Sequence, residues 1–364
     1  LVEKALKEGR DYLKRFAWWK ISTVLLFLAV LGTIIFSTAI GPVKIPFSHV
    51  FQVIVRELPY LGGLVKGSPP SDVERIIVLH ARLPRVLGAG LVGAALAVAG
   101  VVLQGLLRNP MADPFVIGIS SGAGLGAALA IGFGMGTTVL GVLYAVPITA
   151  FLGALVTVFA VYNIAKTGTR IPMLTLLLAG IAVSSFLSAI ISFVMITAGE
   201  SLHALIFWLL GGFSTTNWNH LKIAFPPIVF GILIIYIFAR DLNIMLLGEE
   251  QAQQLGVEAE KLKKIMLVFA SLITATAVSF SGIIGFVGLI IPHITRILVG
   301  ADHRFLIPAS ALTGMIVLIL SDTAARTVIQ PTELPVGVIT ALFGGPFFLY
   351  LLRKRKTVVG WHGG

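Results

Sequence analysis

Residues 83–107 read LPRVLGAGLVGAALAVAGVVLQGLL, with Arg85 as the single charge and Gln104 as the other strongly polar side chain. About 20 such residues make a helix long enough to cross the roughly 30 Å of hydrocarbon in a bilayer. No water is available there, so backbone groups must bond within the segment, and a helix does that. The glycines and alanines along the run let neighbouring helices approach closely, which is how helices associate in lipid. The stretch predicts a transmembrane helix.

The whole chain follows the same pattern. Of 364 residues, 57% are hydrophobic and only 12% charged, and the mean hydropathy is +0.99. Such a composition excludes a soluble globular domain and predicts an all-α polytopic membrane protein. The 39 glycines fit close helix packing in lipid. With no cysteine, disulfides and thiolate metal sites are excluded. A net charge of +11 could point to nucleic acid, but the distribution of the charges fits membrane topology and no nucleic-acid partner.

Residues 1–20 form a basic lead ending at Trp18 and Trp19, an interfacial anchor for a retained first span over Ile21–Ile40. Further spans are predicted over Leu83–Leu107, Phe115–Phe133, Val139–Ala165, Met173–Thr197 and Ile223–Ala239. They continue over Ile265–Phe280, Ile283–Val299, Phe305–Val328 and Val336–Leu352, which makes ten. The transmembrane domain thus covers 21–354, followed by a short tail, 355–364. With the N-terminus inside, 19 of the 27 Lys and Arg fall on inner segments and 8 on outer ones, which puts both termini in the cytoplasm. The segment Gly41–His80, rich in proline and glycine, then lies outside, with a short surface helix over Phe47–Leu58. A faint echo relates Leu96–Gly100, followed by Pro110, to Val278–Gly282, followed by Pro292. It has the opposed directions of an inverted repeat.

The longest polar interruption in the second half is RDLNIMLLGEEQAQQLGVEAEKLKK, residues 240–264. Leu247–Leu255 predicts a short helix closed by Gly256, and Glu258–Lys264 a second amphipathic turn. Such a cytoplasmic loop is either a solvated connector or a handle for a soluble partner.

Three other stretches could carry function. Arg82-Leu83-Pro84-Arg85 puts two arginines at an outer helix start, against both the positive-inside trend and the helix dipole. They could hold lipid phosphates or dock an acidic partner. Leu103–Pro114 makes a tight inner turn, followed by glycines at 118, 122, 124 and 126; with no Gly-Lys-Ser/Thr, this is packing and not a phosphate cradle. No P-loop occurs anywhere, so any ATP-driven step needs a partner ATPase, and the chain itself is no enzyme. In Ser321–Arg326, Asp322 and Arg326 stand four apart and can pair on one helix face, while intramembrane charges are also functional suspects. The scattered His203, His220, His293 and His303 give no metal pattern.

Six stretches in order, from Arg82 to the end, together resemble one family, the permeases of iron-chelate and cobalamin (FecCD-type, type II) ABC importers. They are RLPR at 82–85, LVGAALAVAGVVLQGLLRNPMADPFVIGISSGAGLGA from Leu91, FWLLGGFS from Phe207, LGEEQAQQLGV from Leu247, SGIIGFVGLIIPHITRILVGADHR from Ser281, and SDTAARTVIQPTELPVGVITALFGGPFFLYLLRK from Ser321. Residues before Arg82 match loosely: the charged lead and the long outer segment depart from the family pattern.

The resemblance implies a ten-span subunit of a prokaryotic cytoplasmic membrane, working as a homodimer with two cytoplasmic ABC ATPases and an extracytoplasmic binding protein. ATP is then bound by the partner, and the chain needs no cofactor or metal. By position, Gly248, Glu249, Glu250, Ala252, Leu255 and Gly256 correspond to the family's coupling helix. Arg82, Arg85 and Arg326 correspond to arginines that face acidic groups of the binding protein. The fifth and tenth spans line the path. The cargo implied is a ferric siderophore, haem or cobalamin; an oxyanion such as molybdate is the alternative. An ion-driven secondary transporter, the competing class, would carry buried mid-span carboxylates, of which Asp322 is the lone candidate.

Overall fold

The computed structural model describes residues 2–57, 70–135 and 144–358. The residues at 58–69, the expected start of a span at Val139, and the end of the tail from 359 lie outside these. Among the described residues the chain is helical throughout, with one isolated bridge between Thr167 and Arg170 and no strand.

The fifteen α-helices of the described residues are, in order, α1 (Val2–Ala39), α2 (Phe47–Glu57), α3 (Asp72–Ile76), α4 (Leu83–Leu106), α5 (Ile119–Gly132), α6 (Ala145–Ala165), α7 (Met173–Thr197) and α8 (Leu202–Leu210). They continue with α9 (Trp218–Ile237), α10 (Ala239–Met245), α11 (Glu249–Gln254), α12 (Ala259–Ser281), α13 (Val287–Val299), α14 (His303–Ala325) and α15 (Val336–Val358). Among the described residues seven segments are long and apolar enough to cross a membrane, and four shorter apolar helices accompany them. Three of the four, over Ile119–Gly132, Val287–Val299 and Val336–Leu351, complete the ten expected spans. The fourth, Gly199–Leu210, was not expected: it is too short to register as a span and too apolar to read as a loop.

Helix α4 is the hub. From Gly88 to Leu106 every residue of α4 except Leu91 is buried. Its glycines explain how so many helices reach it. A Cβ on Gly93 would overlap the carbonyl of Gly314 on α14, and one on Gly100 would overlap the carbonyl of Gly288 on α13. At both crossings the backbones meet without an intervening side chain.

The third expected span is corrected. Proline at 114 starts a 3-10 turn over Pro114–Ile117, Gly118 takes φ +86°, and only then does α5 begin, so the span is shorter than the hydropathy run. The second half breaks in a similar way: α12 ends at Gly282 (φ +68°), and α13 starts after Phe286, which also has positive φ (+69°). Both members of the sequence echo therefore lie on a long buried helix followed by a break and a shorter helix.

Contacts orient the bundle. Trp19 donates to the carbonyl of Val299 (2.7 Å) and stacks on Phe305 (centroids 3.8 Å), so the start of the α1 span, the end of α13 and the start of α14 share one end. His303 abuts Gly105 near the end of α4. Asn243 of α10 bonds to Asp302 (2.8 Å) and to the backbone of His303 (2.9 Å), bringing the polar 240–264 loop to this same end. At the opposite end meet Arg82, Arg85, Asp322, Arg326 and Glu333. The lead and the first span form one unbroken helix, α1. The expected amphipathic turn over Glu258–Lys264 is no separate element, since from Ala259 it is the first part of α12.

Candidate coupling and docking sites

At the handle end, α11 is one short helix with glycines of positive φ on both sides, Gly248 (+131°) and Gly256 (+86°). Its termination follows the expected glycine signal. The N–H of Gly256 bonds to the carbonyl of Gln253 (3.0 Å), and that of Val257 to the carbonyl of Ala252 (2.9 Å), the paired bonds of a Schellman cap. Ala252 is fully buried beneath the helix. Glu249 and Glu250 occupy its first turn, where carboxylates suit the helix dipole. Leu247 and Leu255 are 63% and 60% exposed. With Leu246, also exposed, they put three leucines beside the polar side chains of α11, a surface suited to a protein partner.

The loop is anchored to the bundle. Lys263 of α12, with a side chain only 3% exposed, bonds Glu249 at 2.7 Å and Glu260 at 2.8 Å. The other oxygen of Glu260 accepts the backbone N–H of Ile171 at 2.9 Å, just ahead of α7. On the far side of the loop, Asn243 Oδ1 accepts from the ring Nδ1 of His303 (2.7 Å), which leaves the proton of the neutral ring on Nδ1. Burial raises the Asp302 pKa, but the bonds from Arg304 and Asn243 outweigh it and hold the carboxyl below its ordinary value.

At the opposite end the three expected docking arginines come together, though not as free surface groups. A helix leaves its last carbonyls without intrahelical partners. At the end of α1, Arg82 donates to Thr38 (3.0 Å), Ala39 (2.9 Å) and Val43, while Arg326 donates to Ile40 (2.7 Å) and Ser37. Both arginines are buried. They cap α1 and place positive charge where its dipole favours it. Arg326 also lies 3.6 Å from Asp322, the expected pairing along one helix face.

Asp322 is fully buried and has a second, closer partner that sequence spacing could not reveal. Arg85 grips it through Nε (3.0 Å) and Nη2 (2.9 Å), and with Nη1 reaches Glu333 at 2.8 Å. Glu333 is the most exposed member of this network, its side chain 40% accessible.

Arg85 and Glu333 also form the polar rim of a cavity of about 430 Å3, whose apolar wall includes Phe207, Trp208, Phe213 and Phe280. The unexpected helix α8 shapes this wall. After it, the N–H of Gly212 bonds to the carbonyl of Ser281 (2.8 Å), and the carbonyl of Gly211 accepts from Val336 at the start of α15 (2.8 Å). The Phe207–Ser214 stretch therefore joins the end of α12 to the start of α15. Its signal in the sequence was the Gly211-Gly212 pair, since Gly211 takes φ +70° with its Cα facing the Ile283 backbone. Among the described residues no three His, Cys, Asp or Glu side chains gather as a metal site.

The family model of the FecCD transport family matches residues 26–354. The chain belongs to that family. It is 44% identical to the cobalamin import system permease protein BtuC of Halobacterium salinarum, over 85% of this chain and 83% of that one. To the hemin transport system permease protein HmuU of Yersinia pestis it is 40% identical, over 79% and 86%. A metal-chelate type ABC transporter solved in an inward-facing conformation superposes with a TM-score of 0.78 at 34% identity, covering 91% of this chain and 98% of that one. This FecCD-family chain is a membrane permease of the ABC importer type, with the handle and the arginine cluster at opposite ends of its bundle.

Proposed function

We propose that the chain carries an iron chelate or cobalamin across a prokaryotic cytoplasmic membrane, as one of two identical permease subunits, after delivery by an extracytoplasmic binding protein. Two cytoplasmic ATPases supply the energy, because the sequence holds no P-loop. In this reading both termini are cytoplasmic. The α11 surface, comprising Gly248, Glu249, Glu250, Ala252, Leu255 and Gly256, is where the ATPase grips. The observation that carries the reading is α11 itself: a capped short helix flanked by exposed leucines, tied to the bundle through buried Lys263.

The same reading assigns the Arg82, Arg85 and Arg326 cluster to the binding-protein side. Arg82 and Arg326 shape that end through the α1 cap, and Arg85, shared with exposed Glu333, is the member an incoming carboxylate can reach. The cargo class follows from the cavity beside it. Its aromatic, largely apolar wall suits a bulky organic chelate.

The test is uptake in liposomes containing this chain, its cognate ATPase and a binding protein, with cobalamin, haem, a ferric siderophore and molybdate each offered. ATP-dependent uptake of one of the first three supports the reading. Uptake of molybdate alone overturns the cargo class, and uptake driven by an ion gradient without ATPase overturns the importer.

A further inference from the structure

We infer that Lys263 and Glu260 form the mechanical relay that passes movement of α11 into the membrane helices. This rests on the proposal that α11 is the ATPase contact, and it assigns positioning residues that do not themselves touch the ATPase.

The chain of contacts is continuous. Glu249 on α11 meets Lys263 Nζ at 2.7 Å, Lys263 meets Glu260 at 2.8 Å, and Glu260 accepts the N–H of Ile171 at 2.9 Å. Among the described residues, Glu249–Lys263 is the one side-chain hydrogen bond or ion pair from α11 to another helix. Ile171 lies two residues before α7, and Lys263 lies in the first turns of α12. A displacement of Glu249 therefore acts on two long helices at once.

Burial makes the link stiff. The Lys263 side chain is 3% exposed, so water cannot replace a lost carboxylate, and parting it from Glu249 would leave the buried ammonium with Glu260 alone. The glycines flanking α11 let the helix turn on its ends while that link holds. A solvated surface pair would instead slip and dissipate the motion. Glu250 on α11 and Leu255 just after it, both exposed, remain free to face the ATPase.

The test uses the complete importer in liposomes, with ATPase and binding protein. K263M keeps the length of the side chain and removes the charge. The ATPase is expected to co-purify with this variant, while stimulation of hydrolysis by loaded binding protein and substrate moved per ATP both fall about tenfold, the scale of an ordinary coupling free energy. K263R should recover most of the loss.

If K263M does not assemble, E260Q serves instead: it keeps an acceptor for Ile171 and removes the charge opposite Lys263. Full coupling in an assembled K263M, or in E260Q where K263M fails to assemble, overturns the relay. L255D separates this from failure of the underlying reading. If L255D leaves ATPase binding and coupling intact, α11 is not the contact, and both proposals fall. If L255D breaks assembly while K263M stays coupled, only the relay falls.

Discussion

Arg85 on α4 and Glu333 in the turn before α15 are joined by a 2.8 Å ion pair, while the remaining guanidinium nitrogens of Arg85 hold buried Asp322. Glu333 thus occupies the position that a partner's carboxylate would take. Replacing it with glutamine removes the competing charge and leaves Arg85 Nη1 available. E333Q should tighten association with the binding protein several-fold at low ionic strength, and the gain should shrink by 1 M salt, where the screening length is about 3 Å. R85E should weaken association with the opposite salt trend. Affinity measured on reconstituted permease at several salt concentrations checks both, and an E333Q affinity equal to that of the wild type would remove Glu333 from the docking step.

Asp322 is the structural partner in the same cluster. It stands between Arg85 and Arg326 and is wholly buried, so D322A leaves two guanidinium groups with less compensation in a dry site. Breaking a buried pair from one side costs about 3–5 kcal/mol. Thermal unfolding in detergent should fall accordingly. An ion-driven transporter using Asp322 would instead lose transport with little change in stability.

The helix crossings make a third expectation. G93A puts a methyl group into the carbonyl of Gly314, and G100A does the same at Gly288, so either should destabilise the bundle by about 1–3 kcal/mol, as overpacking does. Gly345 on α15 has open space where its Cβ would go, and G345A is the matched control, expected to leave the unfolding temperature nearly unchanged.

Much of this molecule was legible in its sequence, because hydropathy runs and glycine signals are local. Leu83–Leu107 already reads as a span, and Gly256 ends α11 as its position requires. What stayed hidden was non-local. The arginines at 82, 85 and 326 read as outward-facing because they are charged and near helix ends. The structure spends the donors of Arg82 and Arg326 on the end of α1 and those of Arg85 on Asp322 and Glu333, contacts formed by residues distant in the sequence. Asp322 and Arg326 were paired correctly from spacing, but the closer partner of Asp322 lies on another helix. Helix α8 was hidden because nine residues, all apolar but His203, match neither a span nor a polar loop. Lys263 is one of several lysines in the polar loop, and nothing in its neighbours' spacing marks it as the buried one.

Asp113 gives a prediction that depends on pH. It begins the 3-10 turn ahead of α5 and accepts the N–H of Phe115 at 2.8 Å, but burial dominates and pushes its pKa up to about 6 from an ordinary 3.8. The folded state therefore binds this proton more tightly than the unfolded chain does. The charged form is a liability above pH 6 that fades as pH falls through 6 toward 4. Asparagine keeps the acceptor for Phe115, is an equally good helix-start residue and never ionises. D113N should raise stability at pH 8 by about 2 kcal/mol, given about 1.4 kcal/mol per pKa unit and some access of solvent. Its advantage should vanish near pH 4. Unfolding temperatures of the two proteins across pH 4 to 8 decide it, and a constant offset at every pH would mean that the carboxyl of Asp113 does not titrate in the fold as described.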